Sequence, residues 1–180
     1  MATTCLLHNN RTCGKKQTIE SAKSDRRIRI VYGYDWNAQS GNRDSIRDEV
    51  MRVADEVKED FPLRFSFENL RGKDGSIYCD ICRQIRSADV ALFDISTHNP
   101  NVILELGLAI GAGAYVFILR STQFPASAHA ISDLDGILEY RFYRRGGQLT
   151  FQADFRRSLK SKLRLVAKNR QSKNADELNS

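Results

Sequence analysis

Val90-Ala91-Leu92-Phe93-Asp94-Ile95-Ser96-Thr97-His98-Asn99-Pro100-Asn101-Val102-Ile103-Leu104-Glu105-Leu106-Gly107-Leu108-Ala109 is the stretch on which the fold turns. Val90–Ile95 is almost wholly apolar, as a central strand covered on both faces must be. The polar Ser96-Thr97-His98 breaks it. Asn99 then suits a helix N-cap and Pro100 the first helical position, so a helix is predicted from Pro100 onward. A buried strand feeding directly into a helix is half of a parallel crossover unit.

The rest of the chain repeats that alternation. Arg29–Tyr34 reads as a strand running into the loop Asp35-Trp36-Asn37. In Asp44–Lys58 the apolar Ile46, Val50, Val53, Ala54 and Val57 recur at helical steps among charges. Phe61–Phe67 alternates like a strand, Arg71–Gly75 reads as a turn, and Ile77, Ile81 and Ile85 mark a second helix. Tyr115–Leu119 and Ile137–Tyr143 are further strands, and Phe151–Ala167 is a closing amphipathic helix. Alternation of this kind implies an α/β fold: five strands in a mostly parallel sheet between two helical layers. Ligands then belong outside the carboxyl ends of the strands, in the loops after strands one and three. Residues 1–27 read as a flexible basic tail, 28–170 as one domain, and 171–180 as a disordered tail.

With 180 residues, 41% hydrophobic and 28% charged, the chain has room for one globular domain. Its net charge of +6 invites a nucleic-acid reading. The excess lies at the ends, however: residues 28–155 carry 14 basic and 18 acidic side chains. A groove tracking phosphates should be basic on the folded body, so nucleic acid is not the expected partner. Val102–Leu119 is interrupted by Glu105 and three glycines, which argues against a membrane span. Cys5, Cys13, Cys79 and Cys82 come without an apolar leader, so a cytoplasmic location and free thiols are expected.

Glu105 is the oddity of the decisive stretch. Positions 102–110 are otherwise apolar or glycine on every side, which predicts a helix buried all round with one carboxylate facing core or cleft. Either it is partly exposed or paired with an arginine, or it is a functional carboxylate of shifted pKa. Asp94 ends a buried strand where this sheet type places its site, although many strands end in Asp for turn reasons. Together the two carboxylates could act at a ribosyl centre, one on the anomeric carbon and the other on hydroxyls or a nucleophile. Cys79 and Cys82 have half-site spacing that Cys5, His8 and Cys13 could complete, but a core-filling helix face explains them more simply, and no metal is expected. His98 and His129 read as ordinary loop histidines. Phe151–Arg170 reads as a core seam with a solvated basic face.

Asp94-Ile95-Ser96, Asn99-Pro100-Asn101-Val102 and Glu105-Leu106-Gly107-Leu108-Ala109, with the later Asp133-Leu134-Asp135-Gly136-Ile137, resemble the pattern shared by TIR-like bacterial proteins and the nucleoside 2-deoxyribosyltransferase superfamily. The resemblance covers about residues 28–165. It implies a flavodoxin-like three-layer sandwich and cleavage or exchange of an N-glycosidic bond, in NAD or a related nucleotide or nucleoside. It maps the key glutamate of both branches onto Glu105, the base- or sugar-binding aspartate onto Asp94, and the pocket loop onto Ser96, Asn99 and Asn101. In the loop after strand one, Tyr34, Asp35, Trp36 and Asn37 stand where the transferases carry an aromatic-rich loop and TIR domains a Ser-Tyr. There Tyr34 could bond the glutamate, and Trp36 could stack a base or pack on the following helix. The TIR Trp-Cys motif before the glutamate is absent. The resemblance further implies a homo-oligomer, no cofactor beyond the nucleotide substrate, and a setting in antiphage defence or nucleotide signalling. A non-catalytic nucleotide sensor or assembly module and a salvage deoxyribosyltransferase are the alternatives.

Overall fold

The computed structural model describes residues 19, 27–38, 42–72, 77–124, 139–146, 148–151 and 154–178. Arg27–Gly33 (β1) leads to Asn42–Lys58 (α1), Arg64–Asn69 (β2), Ile77–Ser87 (α2), Val90–Asp94 (β3), Pro100–Gly111 (α3) and Tyr115–Ser121 (β4). Glu139–Arg145 (β5), Gln148–Phe151 (β6) and Asp154–Leu178 (α4) follow.

The strands form one sheet in the order β2-β1-β3-β4-β5-β6. The first five are parallel, and their 2-1-3-4-5 order is that of flavodoxin-like doubly wound folds. β6 is antiparallel to β5, with Arg145 opposite Gln148, so the sheet has six strands where five were expected. The reason is local. β5 ends at Arg145 and β6 begins at Gln148, and Gly146 takes the left-handed φ of +57° that tight hairpin turns demand. The chain therefore pairs back along β5 before α4 begins at Asp154, three residues later than its apolar stripe suggested. α4 also runs on to Leu178, past the Ala167 expected from periodicity.

β2 begins at Arg64 rather than Phe61. The Asp60 and Phe61 N–H groups donate to the Val57 carbonyl, 3.1 Å each, and so prolong the end of α1. Pro62 has no N–H to offer a ladder. The facing is as expected, with Phe61, Phe65 and Phe67 packed on the core beside buried Leu63.

Side chains alternate across the sheet and build two cores. Ile28, Ile30 and Tyr32 of β1 join α1 and α4 on one face, where Phe155 packs among Phe117, Tyr140 and Phe151 at ring distances of 6.0, 5.5 and 4.3 Å. Val31, Ala91 and Phe93 join α2 and α3 on the other. This is a three-layer arrangement.

α1 and α4 are also tied by charge. Arg156 pairs with Glu49, Lys160 with Glu56 at 2.6 Å and Arg164 with Asp60 at 2.6 Å. The basic block read as part of a terminal excess thus lies partly on a packed helix, opposite carboxylates of the body. Among the described residues no helix is long and apolar enough to cross a membrane.

Candidate functional site

β1 sends its connection to the α1 side of the sheet and β3 sends its own to the α3 side. The two loops separate at the carboxyl ends of adjacent strands, which is where open α/β sheets leave a crevice. Here that crevice is a cavity of about 390 Å³. Tyr34, Asp35, Trp36 and Asn37 line it from the β1 loop; Asn99, Asn101, Val102, Leu104, Glu105 and Leu108 line it from α3 and its cap.

The loop after β3 is shaped by its own polar groups. The Asn99 side chain accepts from the Asn101 N–H at 2.9 Å and caps α3, with Pro100 in the first turn as predicted. His98 takes a left-handed φ of 52°, unusual for a residue with a Cβ, which turns the chain from β3 into the helix. Across the crevice, Asp35 accepts from the Asn37 N–H and the Thr97 hydroxyl, each at 3.0 Å, and so joins the two loops. Burial alone would raise its pKa, but these bonds, with others from Asn99 and Ala38, bring it below the ordinary value.

Glu105 sits on the second turn of α3, half-buried against the apolar wall. Burial alone pushes its pKa from 4.5 to about 7. A carboxyl group in that state exists in both protonation forms at neutral pH.

Tyr34 stacks on Tyr32 at 5.0 Å and meets the tilted Trp36 ring at 4.8 Å, on the α1 side of the sheet. A bond from its hydroxyl to Glu105 is not formed.

Asp94 and Ser96 are not in this cavity. They line a separate space of about 10 Å³ with Asp35, Ala38, Thr97 and Phe124, next to the cleft that holds Glu105, and Asp35 borders both. Asp94 is buried and accepts from the Ser96 hydroxyl, the Ser96 N–H at 3.0 Å and the Tyr32 hydroxyl at 3.4 Å. Ser96 Oγ accepts in turn from the Ser121 N–H at 2.7 Å. Burial raises the Asp94 pKa despite these donors. The network clamps the ends of β1, β3 and β4 together.

Two contributions were not foreseen. The loop after β2 supplies Leu70, Arg71 and Gly72, held by Gln84, which donates to the Arg71 carbonyl at 2.7 Å. The start of α2 supplies Ile77, Tyr78 and Ile81. In sequence, Ile77 looks like one more member of the Ile81–Ile85 core stripe; in space that stripe runs out of the core and onto the cavity mouth. Nor is α3 buried all round, because Leu104 and Ile110 face outward. Trp36 (52% exposed), Ile77 (59%), Tyr78 (58%) and Leu104 (52%) all border the cavity, so most of the large exposed apolar side chains among the described residues ring one opening. Cys79 and Cys82 are not joined in a disulfide, and no cluster of three or more metal-ligating side chains occurs among the described residues. Cys5, Cys13, His8, His129 and the Asp133–Ile137 segment lie outside them.

Fold and site define an α/β protein with a ligand-sized, largely apolar cleft at the switch point of its parallel sheet, with the carboxylates of Asp35 and Glu105 in its lining. No protein-family model and no curated protein sequence matches the chain. Solved structures similar to it include the CMP N-glycosidase BcmB of Clostridium botulinum, with 14% identity and a TM-score of 0.40 over 76% of this chain and 98% of that one. The TIR domains of the activated Roq1 resistosome are similar at 11% identity and a TM-score of 0.36, over 78% and 84% of the two chains. A flavo di-iron protein variant from Thermotoga maritima reaches 13% identity and 0.41; the chain covers 41% of its length. At these values the likenesses are coarse.

Proposed function

We propose that the cleft binds a nucleotide or nucleoside and that Glu105 hydrolyses or exchanges its N-glycosidic bond, with NAD or a related nucleotide as substrate. One observation carries the reading: the Glu105 carboxylate, pushed to about pKa 7 by burial, lines an apolar cleft with an aromatic rim. A flat base would lie against Trp36, Ile77 and Tyr78, where apolar contact and ring stacking favour it. The Asn37, Asn99 and Asn101 amides and the Asp35 carboxylate would take the sugar hydroxyls.

In the ionised form, Glu105 would attack the anomeric carbon as the carbon–nitrogen bond breaks and its electron pair leaves with the base. A nicotinamide group departs neutral and needs no proton. Water, or a second base in a transferase, would then displace Glu105 from the sugar, giving up its proton to solvent, and so restore the carboxylate. Asp94 has a supporting part here, holding Ser96 and the β3 loop in place. The resemblance and the exposed apolar rim together suit a homo-oligomeric, cytoplasmic enzyme of defence or nucleotide signalling, with no further cofactor.

Incubation with NAD, and separately with deoxynucleosides plus a free base, followed by chromatography of the released base, tests the reading. Glu105→Gln abolishes the release; turnover that survives the substitution refutes the assignment. That Asp94 lines the adjoining space rather than the cleft favours a second reading, a nucleotide sensor without turnover. It predicts a change in Trp36 fluorescence on nucleotide binding without turnover.

A further inference from the structure

We propose that Gly33 is a positioning residue for Glu105: the missing side chain at this point of β1 leaves the seat in which the Glu105 carboxylate rests beside the Phe93 ring. This rests on the reading of Glu105 as the reactive group. Glycine weakens a strand and needs a reason to be there. The usual reason fails, because Gly33 is not among the described glycines with a left-handed φ, which are Gly113 and Gly146.

Space supplies the reason. A Cβ built on Gly33 would lie 3.0 Å from Glu105 Oε2, and 2.6 and 2.8 Å from Cδ1 and Cε1 of Phe93. Gly33 is also paired with Phe93 across the β1–β3 ladder. Alternation along β1 puts position 33 on the same face as Val31, toward α2 and α3, at the last strand residue before the cleft. A side chain there would drive against the Phe93 ring and would make the Glu105 carboxylate give way by a few tenths of an ångström. The same close approach removes water from one side of the carboxylate, in keeping with its burial-driven titration.

Phe93 alone could require a glycine at this position, so the test separates the two neighbours. Gly33→Ala, Phe93→Val and the double variant are compared by urea unfolding and by NMR titration of 13C-labelled glutamate carboxyl groups. Phe93→Val removes both the Cδ1 and the Cε1 positions that the new methyl group would strike, so the double variant is expected to be as stable as Phe93→Val alone. Its Glu105 titration is nevertheless expected to fall by about one unit relative to Phe93→Val, as the displaced carboxylate gains water. Base release, where present, should drop roughly tenfold in kcat with KM changed by less than about twofold. An unchanged Glu105 titration in the double variant overturns the proposal and leaves Phe93 as the sole reason for the glycine. A shifted titration in a protein that releases no base from any nucleotide supports the positioning role and removes the N-glycosidase reading instead.

Discussion

Replacing Glu105 by Gln should stabilise the protein, increasingly from about pH 4.5 to neutrality and fully above it. The unfolded carboxyl group titrates near 4.5 and the folded one near 7, because the cleft disfavours its charge. Between those values the folded chain holds a proton that the unfolded chain has released, so wild-type stability falls as pH rises through the interval. A shift of this size corresponds to roughly 3 kcal/mol. Water at the open side of the cleft screens part of the effect, which leaves about 2 kcal/mol.

Glutamine keeps the shape and does not titrate. Urea unfolding followed by circular dichroism should therefore give variant and wild type a difference that is constant below pH 4.5, grows through the interval and levels off at about 2 kcal/mol above pH 8. In a chain of this length that is about 4–8 °C in Tm. Asp94 and Asp35, whose pKa values are also displaced, are common to both proteins and drop out of the comparison. A difference that does not change with pH would refute the claim that burial holds Glu105 in its protonated form near neutrality.

Asp94→Ala should cost about 2–4 kcal/mol in urea unfolding, since it leaves the Ser96 N–H and the Tyr32 hydroxyl without an acceptor in a buried place. Phe155→Ala should cost about 3–5 kcal/mol by the same measurement, because it empties the centre of the Phe117–Tyr140–Phe151 cluster. Asn99→Ala removes the cap of α3 for about 1 kcal/mol, and hydrogen exchange should quicken at the Asn101 amide.

The alternation of strand and helix was legible because each buried strand is a compact apolar run and each helix has its own period. Asn99-Pro100 marked the start of α3 to the residue. β6 escaped because Gln148–Phe151 is too short to show a period, although Arg145-Gly146-Gly147-Gln148 carried a hairpin signal. Glu105 stood out as the charge in an apolar helix, and the β1 loop stood out by its position after a strand. The cleft's other wall did not. Ile77 and Ile81 follow the same spacing as Ile85, and spacing does not tell where a helix passes the edge of the sheet that covers it. Leu104 and Ile110 likewise show that an apolar composition does not state what lies against it. The pairing of Arg156, Lys160 and Arg164 with acids more than 100 positions earlier has no local trace at all.

That last pairing bears on how the chain matures during synthesis. The core beneath α1 includes both Ile28 and Ala167, and its centre is Phe155. While residues 155–167 are still inside the ribosome, Val50, Val53 and Val57 have no α4 to pack on, and Glu49, Glu56 and Asp60 face no cations. The emerging sheet can pair its strands but cannot close its α1 layer. A nascent chain arrested before residue 155 should therefore remain open to protease, and one arrested with residue 170 clear of the exit tunnel should resist it.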